Sequence, residues 1–241
     1  MSLPAPDPVT GFYPTLNAMG GMSPTLDFYS QAFVDFAADA DGPVLDVGAC
    51  YGVASLAAAE RGADVWANDL DIRHLEILSE SIPDKAKIRL IHGQFPDEIP
   101  WSEGPLSAVL LARLLPYFDG ETIERSLGLI YENLRPGGKV FGVSITPFLK
   151  KLVPFQPIYE ARKAAGDRWP GLVTVSDWDP EGAKDLTPKL HTLDKEVVER
   201  SLTEAGFTIE TLEYFSRENY TGGMARDGRE ALGFIAVKKE E

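Results

Sequence analysis

Three kinds of residue are scarce in this sequence, and each scarcity excludes something. Cys50 is the single cysteine, so neither an intrachain disulfide nor a zinc site built from several thiolates is expected. His74, His92 and His191 are the only histidines and show no shared ligand spacing, so no metal is expected either. Positive charge is missing before Arg61, although Asp7, Asp27, Asp35, Asp39, Asp41, Asp46 and Glu60 all precede it. Over the whole chain 23 Lys plus Arg face 37 Asp plus Glu, a net charge of −14. Such a surface repels a phosphate backbone, which proteins bind by neutralising it, so nucleic acid is not an expected partner. No apolar run approaches the ~20 residues that a membrane span requires. Met1 to Thr10 carries Pro4, Pro6 and Pro8 without a basic start or an apolar stretch, unlike a secretory signal. The expectation is a cytoplasmic protein with no membrane partner, monomeric or homodimeric.

What is present is the material of one folded core. The 241 residues are 44% hydrophobic and 25% charged, the proportions of a globular protein, and the length suits a single domain with an added excursion. From Pro43 onward, short apolar runs alternate with amphipathic stretches. Val44 to Val47, Asp64 to Asn68, Ile88 to His92, Ala108 to Ala112 and Lys139 to Thr146 read as strands. Gly52 to Arg61, Ile72 to Ser81 and Thr122 to Leu134 read as helices among them, with Asp71 placed to cap the second and Pro83 to stop it. Such alternation calls for right-handed crossovers and a parallel sheet covered on both faces, and strands this uniformly apolar belong between two layers. A helix from an Asp194 cap to Ala205 follows, then strands from Phe207 to about Phe215 and from Ala231 to Val237. Only the turn-rich stretch Asn219 to Arg229, with Gly222-Gly223 and Asp227-Gly228, joins those two strands, so they form an antiparallel hairpin. The expected class is α/β: a doubly wound, Rossmann-like, mostly parallel seven-stranded sheet with a C-terminal antiparallel hairpin and an insertion after strand 5.

Two segments depart from that rhythm within what reads as a single domain over 1–241. Residues 1–42 form an N-terminal cap segment and helix, in which Gly11, Pro14, Gly20, Gly21 and Pro24 break the chain before Leu26, Phe33 and Phe36 recur at helical spacing over Thr25 to Ala40. Residues 148–190, interrupted by Pro154, Pro157, Pro170, Pro180 and Pro188, read as an inserted lid or substrate-binding excursion with one short helix from Ile158 to Ala165.

The strongest local signal is Val44-Leu45-Asp46-Val47-Gly48-Ala49-Cys50-Tyr51-Gly52, a strand running through a glycine-containing turn into a helix. In open α/β sheets ligands bind outside the carboxyl ends of the strands, where this turn lies, and Gly48 and Gly52 permit close approach. Asp69 ends the second strand, about 20 positions beyond Asp46, where a carboxylate can accept from vicinal ribose hydroxyls.

These residues resemble the class I S-adenosylmethionine-dependent methyltransferase family over about Leu45 to Val237, apart from the excursion. Asp46, Gly48 and Gly52 match the family's acidic strand end and glycine turn, Asp69 its ribose carboxylate, and Leu70 the neighbour packed on the adenine. Gly93-Gln94-Phe95 stands where the family has a Gly-Asp-Ala-like triplet, and Ala112-Arg113-Leu114-Leu115-Pro116-Tyr117 resembles the segment lining the methionine half and the acceptor pocket. Leu134-Arg135-Pro136-Gly137-Gly138 resembles its helix-to-strand turn. The resemblance implies that Asp46, Gly48, Ala49, Cys50, Gly52, Asp69, Leu70, Gln94, Phe95, Ala112 and Arg113 hold S-adenosylmethionine. Cys50 replaces the usual middle glycine, at a cost on the order of 1 kcal/mol if the site needs a positive φ. Gln94 replaces an acid, yet its carbonyl can still accept from an adenine amino group.

Two other readings stand beside this one. A catalytically silent module of the same fold is one, and an NAD(P)-dependent oxidoreductase is the other. The dinucleotide fingerprint G-x-G-x-x-G is interrupted here at Cys50 and Val53. For methyl transfer the expected acceptor is a small molecule. His191, where the excursion rejoins the core, is the candidate general base, with a helix-flanking surface role as its alternative. Tyr13, Met22, Tyr117 and Tyr159 are the expected pocket residues. Further walls are expected from Tyr13 to Ser23 and from Phe148, Phe155, Trp169 and Trp178, although those aromatics read equally as a satellite core or a dimer contact. Lys150-Lys151 and Arg162-Lys163 suit an anionic acceptor or a solvated surface. His74 reads as solvent-facing and His92 as packed.

Overall fold

A computed structural model describes residues 2–8, 11–177, 187–216 and 225–240. The element order begins with a small hairpin, β1 (Tyr13–Pro14) and β2 (Gly21–Met22), and helix α1 (Phe28–Ala38). There follow β3 (Val44–Val47), α2 (Val53–Glu60), β4 (Asp64–Asp69), α3 (Ile72–Ser81), β5 (Lys87–His92), β6 (Leu106–Ala112), α4 (Gly120–Asn133) and β7 (Leu134–Ile145). The excursion contributes α5 (Gln156–Ala164), β8 (Leu172–Thr174) and β9 (Lys189–His191), and the chain closes with α6 (Lys195–Glu204), β10 (Thr208–Phe215) and β11 (Ala231–Val237).

The central sheet has seven strands in the order β10-β11-β7-β6-β3-β4-β5, parallel except that β11 runs against both its neighbours. Alternation along each strand explains the two-sided core. In β3 and β6, Val44, Ala108 and Leu110 face α1 and α2, while Leu45, Val109 and Leu111 face α4 and α6. Both faces are apolar, as strands buried between helical layers require.

The surplus of acid has a local use. Asp27, Asp71, Asp119 and Asp194 cap α1, α3, α4 and α6, each accepting a backbone N–H of the first turn at 2.8–3.0 Å. Each cap satisfies an otherwise orphan donor and complements the helix dipole, a gain of roughly 1 kcal/mol. Asp27 explains why α1 begins at Phe28 rather than at Thr25.

β7 begins earlier than its apolar run suggests. The stretch expected as a turn, Leu134 to Gly138, is the irregular start of that strand, because Gly137 N donates to Lys238 O at 2.8 Å and Lys238 N to Gly138 O at 2.9 Å. The register against β6 shifts there, between Leu106 and Ala108.

The excursion packs as a satellite core. Leu149, Leu152, Phe155, Tyr159 and Val173 cluster with Ala231 and, at its margin, Phe148. Tyr159 donates its hydroxyl to Asp194, and Lys163 reaches the same carboxylate at 3.2 Å, so α5 is fastened to the start of α6. Trp178, Pro180, Asn219 and Gly222-Gly223, noted in the sequence, lie outside the described residues.

Just before β11, Glu230 is fully buried and its Oε1 accepts from the amides of Arg226, Asp227 and Gly228 at 2.6, 2.6 and 2.9 Å. Burial alone raises its pKa, but those amides outweigh it and hold the carboxyl below its ordinary range. A depressed pKa gives stability that is present above the unfolded-state value and lost as pH falls through the folded one. Glu230→Gln is therefore expected to cost about 1–3 kcal/mol at neutral pH, with the gap to wild type closing in acid. Thermal melts across pH measure it, and a gap independent of pH would show that charge does not hold this turn.

Candidate active site

The chain leaves β3 toward β4 and β5 and then returns to the other side of β3 to build β6 and β7. The crevice outside the carboxyl ends of β3 and β6 is therefore the topological switch point, where open α/β sheets bind ligands. A cleft of about 610 Å³, open solvent included, lies over the ends of β3, β4 and β5. A smaller one of about 390 Å³ lies between the ends of β3 and β6 and the start of α1. Gly48 lines both.

The turn leaving β3 is built from alternate left-handed residues, Gly48 at φ +67°, Cys50 at +52° and Gly52 at +83°. A side chain at Gly48 would put its Cβ 3.1 Å from Leu114 Cδ1, so the leucine would have to give by a few tenths of an ångström, and the left-handed φ adds strain for any L residue. Cys50 adopts the strained conformation despite its Cβ, at a cost of roughly 1–2 kcal/mol. Its amide donates to Asp69 Oδ2 at 2.8 Å, and a hydrogen bond to a charged group is worth ~1.5–3 kcal/mol, enough to offset the strain. Burial, and after it the nearby Asp69, pushes the Cys50 thiol pKa up, so the side chain stays a neutral thiol.

Asp69 ends β4 at 5% exposure. Its Oδ1 accepts from Asp71 N at 2.8 Å and from His74 Nδ1 at 2.9 Å. A carboxylate offers about four acceptor directions; three are occupied by protein donors, and the remaining one is on Oδ2. The sequence reading allowed Asp69 two ribose hydroxyls, whereas this geometry leaves room for one direct bond. His74 is correspondingly buried at 1% exposure rather than solvent-facing, because the first turn of α3 points back at the strand end it follows. His92, expected to be packed, is exposed at the edge of the sheet.

Asp46 is buried beneath the smaller cleft, its Oδ2 accepting from Ser55 Oγ at 2.6 Å. Burial raises its pKa to about 6, with Ser55 and Arg113 pulling against the rise and Asp69 adding to it. Arg113, which lines the same cleft, stands at φ +61° and lies 3.6 Å from the Asp27 carboxylate.

The remaining sequence-named residues divide. Cys50, Asp69, Leu70, Gln94, Phe95 and Tyr117 line the larger cleft, and Asp46, Ala49, Ala112, Arg113 and Met22 the smaller. Leu70 is 51% exposed at the rim, an apolar surface open to a ligand. Gly52 lies behind the turn against Leu78, and Tyr13 packs on Tyr51 and Ile77, so neither lines a cleft. Tyr159 is placed in the satellite core with Asp194, well inside the excursion, and none of the described residues of 148–190 lines either cleft. His191 likewise lines neither cleft. It is 2% exposed behind the wall formed by Phe118, donating from Nδ1 to Phe118 O at 3.2 Å and packed edge-on against Trp169, and burial lowers its pKa.

Sequence reasoning expected a wall from Tyr13 to Ser23 without naming the residues that face the larger cleft, and it missed part of the floor. Thr15, Asn17 and Met19, from the β1–β2 connection, line the larger cleft. Asn68 braces its floor, donating to Ile91 O at 3.0 Å and Gly93 O at 2.9 Å. Asn68 carried a signal, being a polar residue inside an apolar strand next to the site carboxylate.

Residues 44–138 match the family described as methyltransferase domain. No protein of curated function matches the sequence. Among solved structures, a SAM-dependent methyltransferase from Methanosarcina mazei shares 18% identity, with 90% of this chain and 100% of that one covered at a TM-score of 0.68. The glycopeptide N-methyltransferase MtfA, solved with S-adenosyl-L-methionine, shares 16% over 88% and 96% of the chains at 0.58. An S-adenosylmethionine dependent methyltransferase from Mesorhizobium loti shares 18% over 87% and 97% at 0.58. The glycine turn of β3 and the carboxylate of β4 fall on the segment that matches the methyltransferase domain, and the seven-stranded sheet gives the chain the fold of the S-adenosylmethionine-dependent methyltransferases it resembles.

Proposed function

We propose that the protein transfers the methyl group of S-adenosylmethionine to a small, mainly apolar acceptor. The observation that carries this reading is the floor of the larger cleft, where Asp69 keeps one acceptor direction open among apolar walls formed by Leu70, Phe95, Leu114, Phe118 and Met19. Asp69 would hold a ribose hydroxyl, Leu70 and Phe95 the adenine faces, and Gln94 its amino edge. Gly48 and Ala49 admit the chain of the ligand past the turn, and Asp46 with Arg113 would face its ammonium and carboxylate ends. The cofactor supplies a methyl group on a sulfonium, an already activated leaving group.

The protein's task is then orientation and exclusion of water, which can contribute ~7–11 kcal/mol. Tyr117 fits that role. Burial raises its pKa to about 12, so it stays protonated and donates to Met19 O, closing the roof rather than removing a proton. His191 reaches the cleft only through the Phe118 backbone, which favours a structural part for it. Incubation with methyl-labelled S-adenosylmethionine and a fractionated extract tests the acceptor class. Label is expected in the low-molecular-mass fraction, and label confined to protein or RNA would overturn the small-molecule reading.

Asp69→Ala removes the acceptor of three protein donors as well as of the ligand. It is expected to weaken S-adenosylmethionine binding by about 1–3 kcal/mol and to lower stability at the same time. Calorimetry and denaturant unfolding separate the two, and unchanged affinity would refute the ribose assignment. For Asp46 the sign is opposite to that of an ordinary carboxylate. Its folded pKa of about 6 exceeds the reference 3.8, so its stability contribution is full below the unfolded value and lost as pH rises through 6. Asp46→Asn is expected to be more stable than wild type at pH 8, by on the order of 3 kcal/mol, and no more stable at pH 4. The same variant should gain less stability from added ligand at pH 8. An equal gain in both proteins would remove Asp46 from the ligand's charged end.

A further inference from the structure

Four side chains of the core grip the backbone of the β1–β2 hairpin. Tyr51 donates its hydroxyl to Pro14 O at 2.7 Å, Arg73 donates Nη2 to Leu16 O at 2.6 Å, and Tyr117 donates to Met19 O. The fourth is His74, whose Nε2 accepts from Leu16 N at 2.9 Å. An amide is a donor only, so Nε2 carries the lone pair, Nδ1 carries the proton, and the proton points at Asp69 Oδ1. The ring is packed edge-on against Tyr51 at 5.2 Å between centroids. It is the one grip among these that also touches the carboxylate in the cleft floor.

We infer that His74 is a positioning residue that couples closure of the β1–β2 hairpin over the cleft to the orientation of Asp69, through a neutral imidazole bonded to both. This rests on the proposed ribose role of Asp69. With Oδ1 held by His74 and by Asp71 N, the carboxylate cannot rotate, and its free direction on Oδ2 stays aimed at the ligand. A ligand that uses Oδ2 in turn keeps Asp69 where it supports the ring that holds the roof down. Opening the hairpin leaves Nε2 without its donor, so the roof and the floor stabilise each other.

Two substitutions cut the bridge at different ends. His74→Asn places an amide near the position of Nδ1, retaining a donor for Asp69 and losing the acceptor for Leu16 N. His74→Gln places a carbonyl near Nε2, retaining the hairpin bond and losing the donor to Asp69. Hydrogen exchange of residues 13–22 in the free proteins, with S-adenosylhomocysteine affinity and dissociation rate, reads both ends. H74N is expected to speed exchange at Leu16 and its neighbours, and to speed ligand dissociation, each about tenfold. H74Q should keep the slow exchange of the free hairpin yet lose about tenfold in affinity. Unchanged hairpin exchange in H74N, or dissociation at the wild-type rate in both variants, would overturn the coupling. If wild type binds no S-adenosylhomocysteine, the cofactor reading fails and the ligand half of the coupling with it. Hairpin exchange then still decides whether His74 holds the roof.

Discussion

The carboxylate of Asp69 is where the backbone turn, the helix and the roof of this site meet. It accepts from the Cys50 amide of the glycine turn, from the Asp71 amide that opens α3, and from His74, which continues to the hairpin above. The donors come from the glycine turn and from the start of α3, and His74 extends the set to the hairpin, so one buried charge fixes the relative placement of β3, β4, α3 and the N-terminal segment. Burying that charge is costly unless it is fully bonded, and the donors supply the bonding while leaving one direction unused. The same interaction accounts for the non-glycine residue at φ +52°: the strained Cys50 backbone is what aims its amide at the carboxylate.

A second buried acid works the other way. Asp46 is held by a neutral hydroxyl and a more distant guanidinium, so burial wins and its pKa rises, whereas Glu230 sits among three amides and its pKa falls. The contrast is one of donor supply, since all three carboxylates are buried. Where several amides converge on one carboxylate oxygen, as at Glu230, the ionised acid is favoured, and where one neutral hydroxyl is the nearest donor, as at Asp46, the acid stores a demand for a positive partner. The cleft beside Asp46 is therefore suited to a cationic group in a way that Glu230 is not.

Much of the fold was legible in the sequence because the apolar runs of β3 to β7 admit only one arrangement: strands buried on both faces with helices between them. α3 and β11 were bounded to the residue, since Asp71 and Pro83 punctuate the first and turn residues isolate the second. The site floor was legible too, as Gly48 and Asp69 follow from position relative to strand ends. His74, His191 and Tyr159 were not, and for a common reason. Each is polar or amphipathic, and its partner lies far along the chain, on Leu16, Phe118 and Asp194. Periodicity assigns a residue to a face of its own element and is silent about which distant backbone atom meets it there. The aromatics of the excursion read in the sequence either as a wall or as a satellite core or dimer contact, and their packing makes Phe148, Phe155 and Tyr159 a small core of their own.

The central claim is that the cleft between Gly48, Asp69 and the hairpin is a site for S-adenosylmethionine. Calorimetric titration of the purified chain with S-adenosylhomocysteine, run beside NADH, tests it most directly. The account predicts one molecule of S-adenosylhomocysteine bound per chain and no heat from the dinucleotide. Saturable binding of NADH alone, or no binding of S-adenosylhomocysteine by a folded chain, would contradict it.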